Sequence, residues 1–448
     1  MVKVITYGTY DLLHHGHIRL LERAKALGDY LIVGVTSDAY DRGRGKINVQ
    51  QSLVERLEAV KATGLADEIV VEEYEGQKID DIKRFGIDIF TVGSDWVGHF
   101  DYLNEFCKVV YLDRTQGVSS TELRSESREL KMGLVGEAAF LNKFEQESHY
   151  VNGINIVGIC TQDQSLLSNA VTSLPLVTDN YLELLKVVDA LYLISSPHLH
   201  YQQIRLALEH KKHILCESPI ALSINELNEL RQLAESNDCV LLDALRTAYS
   251  PAYHQLQLLA KSGIIGNIMS VDSVCTSLRN ISSNDFNKNI DEKWNSICSW
   301  GPAAMLPIFQ LLGLDYSKKY ITSHIVENTA NYDSFTKVAF VYPNSVASLK
   351  VGQGVKSEGE LIISGTKGYI YVPAPWWKTD YFEVRYENPS NNKRYFFQLE
   401  GEGIRGELVS FVKAIRTGHQ DSYMDYSISK GIVHIIEDFC NREDFDFV

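Results

Sequence analysis

The sequence predicts an α/β protein in which two parallel, doubly wound sheets precede an α+β region with a mainly antiparallel sheet. Three observations support this prediction. Strand-like and helix-like segments alternate up to residue 112, and again between residues 132 and 243. A polar, charged stretch at residues 124–131 separates the two blocks. After residue 248, strand-like runs follow one another with few helices between them, which is typical of antiparallel sheets.

The first block begins with a strand-helix-strand unit. Residues 2–7 alternate apolar and polar side chains and lead into Gly8, and apolar residues recur at helical spacing from 17 to 27 before the apolar run 31–35. Further helices are expected at 52–63 and 79–85, and further strands at 68–71, 87–92 and 108–112. This alternation predicts a parallel sheet with helices on both faces.

The second block starts where an apolar strand, residues 132–135, meets Gly136. Its further strands are expected at 155–160, 190–194, 213–216 and 240–243, with helices between them. A helix at 253–262 then precedes strands at 268–275, 336–342, 346–351, 360–364 and 368–372, and the tail 403–447 has helical spacing. These changes predict three domains, at residues 1–127, 128–248 and 249–448.

The composition restricts the partners and the compartment. The chain has 448 residues and a formal net charge of -15, so a long nucleic acid would meet net repulsion. No signal peptide and no run of about 18 apolar residues is evident, which predicts a cytoplasmic protein without a membrane partner. The seven cysteines are scattered without a CxxC pattern, so we expect reduced thiols.

The most informative motif lies where the first strand ends and the first helix begins, and it reads GTYDLLHHGH from Gly8 to His17. Ligands bind at this edge of an open parallel sheet. His14 and His17 can point at one anion from the helix N-terminus, where backbone N-H groups favour phosphate, and Gly16 lets the backbone approach it. Surface histidines that merely cap a helix would also explain such a pair, so the neighbouring segments decide.

Two further segments carry phosphate-binding chemistry. One contains Arg42, Arg44 and Lys46, and the other reads RTQGVSST at residues 114–121. Each has a simpler explanation alone, as a solvated loop or as a helix start capped by Ser120 or Thr121. Together they supply the positive charge and hydrogen bonds that phosphoryl transfer requires.

On these residues the first block resembles the nucleotidyltransferase superfamily marked by His-x-Gly-His, and most closely its glycerol-3-phosphate cytidylyltransferase branch. The resemblance covers about 125 residues and rests on the stretches 8–18, 93–103 and 114–121. It implies CTP and a small phosphorylated alcohol as substrates, a CDP-alcohol for surface polysaccharide synthesis as product, and Mg²⁺ held mainly by the CTP phosphates. A homodimer or higher homo-oligomer is expected.

The same resemblance assigns expected roles to individual residues. The catalytic set is His14, His17, Lys46 and Arg114. The nucleotide-binding set is Gly8, Thr9, Asp11, Gly16, Asp95, Ser119 and Thr121, with Asp11 also a candidate metal ligand. Lys46 and Arg56 would bind the acceptor phosphate. Family members tend to have lysines near where Arg42 and Arg44 stand, which leaves the acceptor geometry less defined than the nucleotide geometry.

From Lys131 onward the chain resembles the glucose-fructose oxidoreductase / inositol dehydrogenase family. The resemblance rests on the strand-glycine start, on residues 195–222 and on GTKGYIYVPAPWW at 365–377. It implies a vestigial dinucleotide site at Gly136, Glu217 and Pro219. A dinucleotide fingerprint needs two more glycines, where this chain has Ala138 and Leu141.

Other expected groups of that family are also replaced. The acidic residue that binds a ribose hydroxyl is Thr161, with Asp163 two residues on, and the lysine of Glu-Lys-Pro is Ser218. Ser299 and Ala303 stand where an aspartate and a histidine are expected. NAD(P) binding therefore stays open. The second half is either a non-catalytic scaffold or sensing module, or the oxidoreductase part of a bifunctional enzyme in which His198 and His200 are substitute groups.

Overall fold

The computed structural model describes residues 1–43, 49, 51–74, 76–113, 129–278, 295–326, 332–397, 399–418 and 423–448, and excludes the side chains of residues 42, 43, 95 and 400. These residues form two compact units. Unit 1 comprises Met1–Glu129 with Tyr150–Gly153, and unit 2 comprises Leu130–His149 with Ile154–Val448. Residues on both sides of position 248 belong to unit 2, so the division between residues 128–248 and 249–448 stays a prediction.

Unit 1 is built around one parallel sheet. Its strands are β1 (Lys3–Gly8), β2 (Tyr30–Thr36), β3 (Glu68–Glu72), β4 (Ile89–Gly93) and β5 (Lys108–Leu112). Its described helices are α1 (His15–Lys25), α2 (Asp38–Gly43), α3 (Leu53–Ala62) and α4 (Gln77–Phe85). The strand order β3-β2-β1-β4-β5 changes direction at β1, which is where ligands bind in sheets of this kind.

Local sequence explains where the helices of unit 1 begin and how they pack. The side chain of Ser52 caps α3 and Glu55 returns a bond to the Ser52 backbone, which is a capping box. Leu21 and Ala24 of α1 are buried against β1 and β2, in a core that includes Val4, Leu31 and Val33. The sheet thereby holds the start of α1 at the carboxyl end of β1.

The first part of unit 2 is a second parallel sheet. Its strands are β6 (Leu130–Gly136), β7 (Ile154–Cys160), β8 (Leu176–Thr178), β9 (Ala190–Ile194), β10 (His213–Glu217) and β11 (Leu241–Ala244). Its described helices are α5 (Ala138–Ser148), α6 (Asn169–Thr172), α7 (Tyr181–Val187), α8 (Pro197–Glu209) and α9 (Ile224–Ser236). The order is β11-β10-β9-β6-β7-β8, so the direction changes at β6.

The rest of unit 2 is a nine-stranded, mainly antiparallel sheet with helices. Its strands are β12 (Ile268–Ser277), β13 (Lys318–Ile325), β14 (Asp333–Val341), β15 (Val346–Gln353), β16 (Leu361–Gly365), β17 (Tyr369–Val372), β18 (Tyr381–Arg385), β19 (Lys393–Phe396) and β20 (Phe445–Phe447). Its described helices are α10 (Pro251–Lys261), α11 (Ser296–Leu312), α12 (Ile404–Thr417) and α13 (Tyr426–Asn441). The apolar helix α11 packs on β12 and β15.

The predicted fold class is confirmed, with two parallel sheets and one mixed sheet. One expectation about the tail is wrong: helical spacing was predicted through residue 447, but α13 ends at a left-handed Arg442. The last residues instead form β20, which pairs in parallel with β13. A three-residue strand is too short to show an alternation in sequence. Within the described ranges, no helix has both the length and the apolar character needed to cross a membrane.

Candidate active site and a second cavity

The loop from Thr9 to His14 joins β1 to α1 and has an unusual backbone. Tyr10 and Leu12 both adopt positive φ, at 53° and 47°, which is uncommon for residues with a side chain. The Tyr10 ring is buried and packs under the end of β1, where a side chain on Gly8 would come within 2.9 Å of it. Gly8 is therefore required for the close approach of the loop to the strand.

The two histidines meet at the start of α1. The rings of His14 and His17 are stacked, with centroids 3.8 Å apart and planes at 20°, and the Tyr10 ring meets His17 edge-on at 5.5 Å. His14 is the N-cap residue, and its Nδ1 accepts a hydrogen bond from the Gly16 N-H at 3.1 Å. Because Nδ1 is an acceptor, the imidazole proton is assigned to Nε2. His14 is therefore the helix cap through Nδ1, and Nε2 is the ring's donor atom.

A buried network holds Thr9 behind the histidines. Its hydroxyl donates to Asp41 Oδ1 at 3.1 Å, and the other oxygen of Asp41 accepts from Thr36 Oγ1 at 2.6 Å. Arg56 lies 3.4 Å from Asp41 and donates to the Thr9 carbonyl at 2.7 Å. Asp41 and Arg56 are both 0% exposed. The network fixes the loop to β2 and α3.

Arg56 therefore differs from its predicted role. It was expected to bind the acceptor phosphate, but its guanidinium is enclosed and bonds Asp38, Asp41 and three backbone carbonyls, those of Thr9, Thr36 and Gln51. A buried arginine with these partners neutralises carboxylates and orients the loop. In this structure Arg56 is a positioning residue.

Asp11 is tied to residues that precede α3. Its Oδ1 accepts from the Gln51 N-H at 3.0 Å, and Gln51 Oε1 accepts from the Leu12 N-H at 2.7 Å. This reciprocal pair holds the loop beside His14. No group of three or more His, Cys, Asp or Glu side chains suited to a metal occurs in the described part of the chain.

Several predicted residues cannot be placed. Lys46, Arg114, Ser119 and Thr121 lie outside the described residues, as does Arg44. Asp95 lies in a short 3-10 turn, Ser94–Trp96, directly after β4, but its side chain is not described. Arg23 of α1 donates to the carbonyl of Asp113 at 2.6 Å. This bond holds the end of β5, from which the segment 114–121 starts, to α1.

Sequence reasoning missed a buried cation in unit 1, Lys78 at the start of α4. Its ammonium contacts Glu72 and lies 4.8 Å from the centre of the Tyr7 ring. The Tyr7 hydroxyl donates to Asp81 at 2.8 Å, and burial, reinforced by Asp81, raises the pKa of Tyr7 well above its usual value. The feature of the sequence that could have indicated this cation is a lysine in the first turn of α4, close after β3.

Unit 2 contains a cavity of about 620 Å³ within the described residues. It lies where β6, β9 and β10 end, and α11 and the segment around Trp377 complete it. Its volume is in the range of small-molecule sites. Two residues of the predicted vestigial dinucleotide site have different surroundings. Glu217 lines the cavity, whereas the carbonyl oxygen of Pro219 lies 2.8 Å from Nδ1 of His200.

The turn after β6 retains one glycine for a structural reason. Gly136 has φ of 155°, and a side chain there would come within 2.7 Å of the Ile194 carbonyl oxygen. Ala138 and Leu141, which stand at the two other glycine positions of the fingerprint, are both buried, and neither lines the cavity. Instead Glu137 and Ala139 line it. Glu137, the residue between Gly136 and Ala138, is the N-cap of α5 and makes no side-chain capping bond.

The groups expected for proton transfer are replaced in the cavity wall as predicted. Ser218, Ser299 and Ala303 all line it. Of the two substitute histidines, His198 is exposed and bonds Ser196, whereas His200 is buried with its ring nitrogens 2.8 Å from the Pro219 and Ser195 carbonyl oxygens. Burial lowers the pKa of His200. His200 therefore connects two loops.

A buried acid lies behind the cavity. Glu217 pairs with Arg246 at 2.9 Å, and Glu407, 0% exposed, accepts from the Tyr192 hydroxyl at 2.8 Å. Burial raises the pKa of Glu407 to about 8, although Arg246 and Tyr192 lower it in part. Glu407 is therefore largely protonated at neutral pH. Sequence reasoning missed this group, because nothing in its helix distinguishes it from a surface glutamate.

Unit 2 is similar in fold to known oxidoreductases. Residues 130–244 match the model described as oxidoreductase family, NAD-binding Rossmann fold. KijD10, a 3-ketoreductase from Actinomadura kijaniata solved with NADP and TDP-benzene, superposes with a TM-score of 0.62 and 14% identity, covering 71% of this chain and 99% of that one. UDP-N-acetylglucosamine 3-dehydrogenase GnnA from Acidithiobacillus ferrooxidans gives 0.57 and 15%, covering 70% and 99%. At these identities the likeness shows the fold alone.

Unit 1 has far more similar relatives. Residues 5–126 match the model described as cytidylyltransferase-like. A glycerol-3-phosphate cytidylyltransferase of Bacillus spizizenii is 46% identical over 130 residues, covering 29% of this chain and 100% of that protein. Its counterpart in Bacillus subtilis is 47% identical over 126 residues, covering 28% and 97%. The chain therefore belongs, through its first unit, to the cytidylyltransferase family of nucleotidyltransferases, and it carries an oxidoreductase-family Rossmann fold in its second.

Proposed function

We propose that unit 1 transfers CMP from CTP to a small phosphorylated alcohol, with glycerol 3-phosphate the first candidate, and releases pyrophosphate. The observation that carries this proposal is the pair of stacked imidazoles at the N-terminus of α1. They lie at the carboxyl edge of a parallel sheet, where its strand order changes direction. The relatives that are 46% and 47% identical support the choice of CTP and of the acceptor.

The reaction needs no covalent enzyme intermediate. An oxygen of the acceptor phosphate attacks the α-phosphorus of CTP in line, and the bond from that phosphorus to the pyrophosphate oxygen breaks. The electron pair of the broken bond leaves with pyrophosphate. His14, through Nε2-H, and His17 donate hydrogen bonds to phosphate oxygens whose charge increases in the transition state. Thr9 donates its one hydroxyl proton to Asp41 here, and it would turn this hydroxyl to the same phosphates when they bind.

The remaining predicted residues have proposed roles around these phosphates. Lys46 neutralises phosphate charge, Arg114, Ser119 and Thr121 close over the nucleotide, and Asp95 helps to hold the nucleotide or its metal. Mg²⁺ would be held mainly by the CTP phosphates, with Asp11 as a candidate ligand. The metal would neutralise the leaving pyrophosphate.

An acceptor panel tests this function. Pyrophosphate release by the full chain is measured with CTP or ATP and a series of phosphorylated alcohols, including glycerol 3-phosphate. We expect release with CTP and a small phosphorylated alcohol, and at least about 100-fold less with ATP. A preference for ATP would overturn the cytidylyl assignment, and no release with any phosphorylated alcohol would overturn the transfer reaction.

For unit 2 we propose a non-catalytic ligand-binding role. Its cavity has a suitable volume but lacks the lysine, aspartate and histidine of its family, and Ala138 and Leu141 replace two glycines of the dinucleotide fingerprint. These residues do not fit NAD(P), so no hydride step is derived. The second candidate, a bifunctional enzyme, is supported by the family match. Titration of the full chain with NADH and NADPH decides: micromolar binding of either would support the bifunctional candidate.

A further inference from the structure

The cavity of unit 2 contains a point where two lysines converge. Lys143 from α5 and Lys378 from the segment after β17 both line the cavity. Their ammonium groups lie 2.5 and 2.8 Å from the same atom, Oε2 of Glu402. Burial alone would raise the pKa of Glu402, but the two lysines outweigh burial and hold it below its usual value. The two lysines therefore form an anion-binding site, and the carboxylate of Glu402 occupies it.

The backbone that carries Glu402 is constrained. Glu402 has φ of 48° and lies between Gly401 at 65° and Gly403 at 88°, so three successive residues are left-handed. This conformation is unfavourable for a residue with a side chain, and it persists only where the surroundings impose it. A side chain on Gly403 would come within 2.2 Å of the Arg246 carbonyl oxygen. The backbone of the segment is packed on Arg246, so Glu402 can leave the lysines only by rotation of its side chain.

The rest of the wall is aromatic and hydroxylated. The rings of Trp300 and Trp377 lie 4.9 Å apart, and Trp300 Nε1 donates to Ser277 Oγ at 3.2 Å. The hydroxyl of Ser299 is buried and has no hydrogen-bond partner within the part of the chain that the structure describes. Arg246 supplies a third cation, paired with Glu217. Tryptophan faces and hydroxyls suit a hydroxylated carbon chain, and the lysines suit a charged end.

We propose that this cavity binds a phosphate-bearing polyol, whose phosphate replaces the Glu402 carboxylate between Lys143 and Lys378. A phosphate carries more charge and more acceptor oxygens than a carboxylate, so it gains more from two converging ammonium groups. The inference rests on the proposed function of unit 1, because that reaction handles this chemistry. Two compounds share this chemistry, the free phosphorylated alcohol and the CDP-linked product.

Lysine acetylation of the full chain, followed by mass spectrometry, tests the proposal at the site itself. The probes are glycerol 3-phosphate, CDP-glycerol and inorganic phosphate, and the readout is the modified fraction of Lys143 and Lys378. We expect at least about fivefold protection of both lysines by one organic probe, with the exposed Lys186 unaffected. The protecting probe identifies the source. Equal protection by inorganic phosphate, or protection by none, would overturn the proposal.

The variant Glu402→Gln provides the second measurement. Removing the internal charge should raise acetylation of both lysines without ligand, and lower the half-protecting probe concentration about fivefold. An unchanged half-protecting concentration contradicts competition by Glu402. The same preparations are assayed for CTP-dependent pyrophosphate release. Turnover without protection overturns only this inference, whereas protection without turnover overturns the proposed function.

Discussion

The turns after β1 and after β6 begin alike but differ at the start of the next helix. Each strand lies where the order of a parallel sheet changes direction, and each ends in a glycine that a close neighbour requires, the Tyr10 ring for Gly8 and the Ile194 carbonyl for Gly136. After β1, His14 caps the helix with its side chain. After β6, Glu137 at the equivalent position makes no capping bond and directs a carboxylate to the cavity.

This difference shows that the site, not the fold, determines the chemistry. The helix N-terminus attracts anions in both turns. In unit 1, imidazoles add hydrogen-bond donors at this helix N-terminus, and the buried Arg56 network supports them. In unit 2, Glu137 places a negative charge at the helix N-terminus, and the cations of the cavity lie elsewhere, at Lys143, Lys378 and Arg246. Four predictions test the contrast, beginning with the largest expected effect.

The first prediction concerns His17. His17→Ala should lower turnover about 10³-fold, because one donor to the transition-state phosphate is lost in a preorganised site. The matched control is His15→Ala, since His15 lies in the same turn but is exposed and bonds only Arg19 among the described hydrogen bonds. Steady-state pyrophosphate release gives both values. Equal turnover in His17→Ala and His15→Ala would contradict the catalytic role of His17 in its pair with His14.

The second prediction concerns Arg56. Arg56→Ala leaves the buried Asp41 without its cation and should lower the free energy of unfolding of unit 1 by about 3–5 kcal/mol. Arg84→Ala, on the exposed side of α4, should change it by less than about 0.5 kcal/mol. Urea unfolding measures both. If Arg56→Ala were as stable as the control and raised only the KM for the acceptor, Arg56 would be a phosphate ligand and not a positioning residue.

The third prediction concerns Thr9. Thr9→Val removes the bond to Asp41 and a hydroxyl at the phosphates, and turnover should fall about tenfold, equivalent to about 1.4 kcal/mol. Kinetics with CTP as the varied substrate measure this. The control in unit 2 is Thr161→Val, which removes a buried hydroxyl at the end of β7 and should leave turnover unchanged. A loss in that variant would mean that the two units are coupled.

The fourth prediction concerns pH and unit 2. The pKa of Glu407 is raised by burial to about 8, above its usual 4.5, so the folded state binds a proton that the unfolded state releases. The contribution of Glu407 to stability is present below pH 4.5 and is lost as the pH rises to about 8, by at most about 1.4 kcal/mol per pH unit. Glu407→Gln should flatten this slope in urea unfolding of unit 2 between pH 5 and 8. If the free energy of unfolding of Glu407→Gln fell with pH as steeply as that of the unchanged protein, Glu407 would not be the cause of the slope.

Much of this could be derived from the sequence alone. Alternating apolar residues and helical spacing located the five strands of the first sheet and five of the six strands of the second within a few residues, because each element buries one local face. The three-residue strand β8 was missed because it is too short to show such a pattern. The motif from Gly8 to His17 marked the candidate site, since its donors are contiguous in the chain. The substitutions at Ser218, Ser299 and Ala303 were visible too, because each occupies a position defined by nearby residues.

Tertiary structure decided what depends on partners distant in the chain. Arg56 was expected at the acceptor phosphate, but Asp38, Asp41 and three carbonyls enclose it in the fold. Glu402 meets Lys143 from a position 259 residues away in sequence, and Glu407 meets Tyr192 across 215. No local pattern encodes burial or a pKa of this kind, because both depend on which segments exclude water from the group. The sequence by itself determined most helices and strands and the motif from Gly8 to His17. The tertiary packing determined which charged side chains face a possible ligand site and which are paired inside the fold.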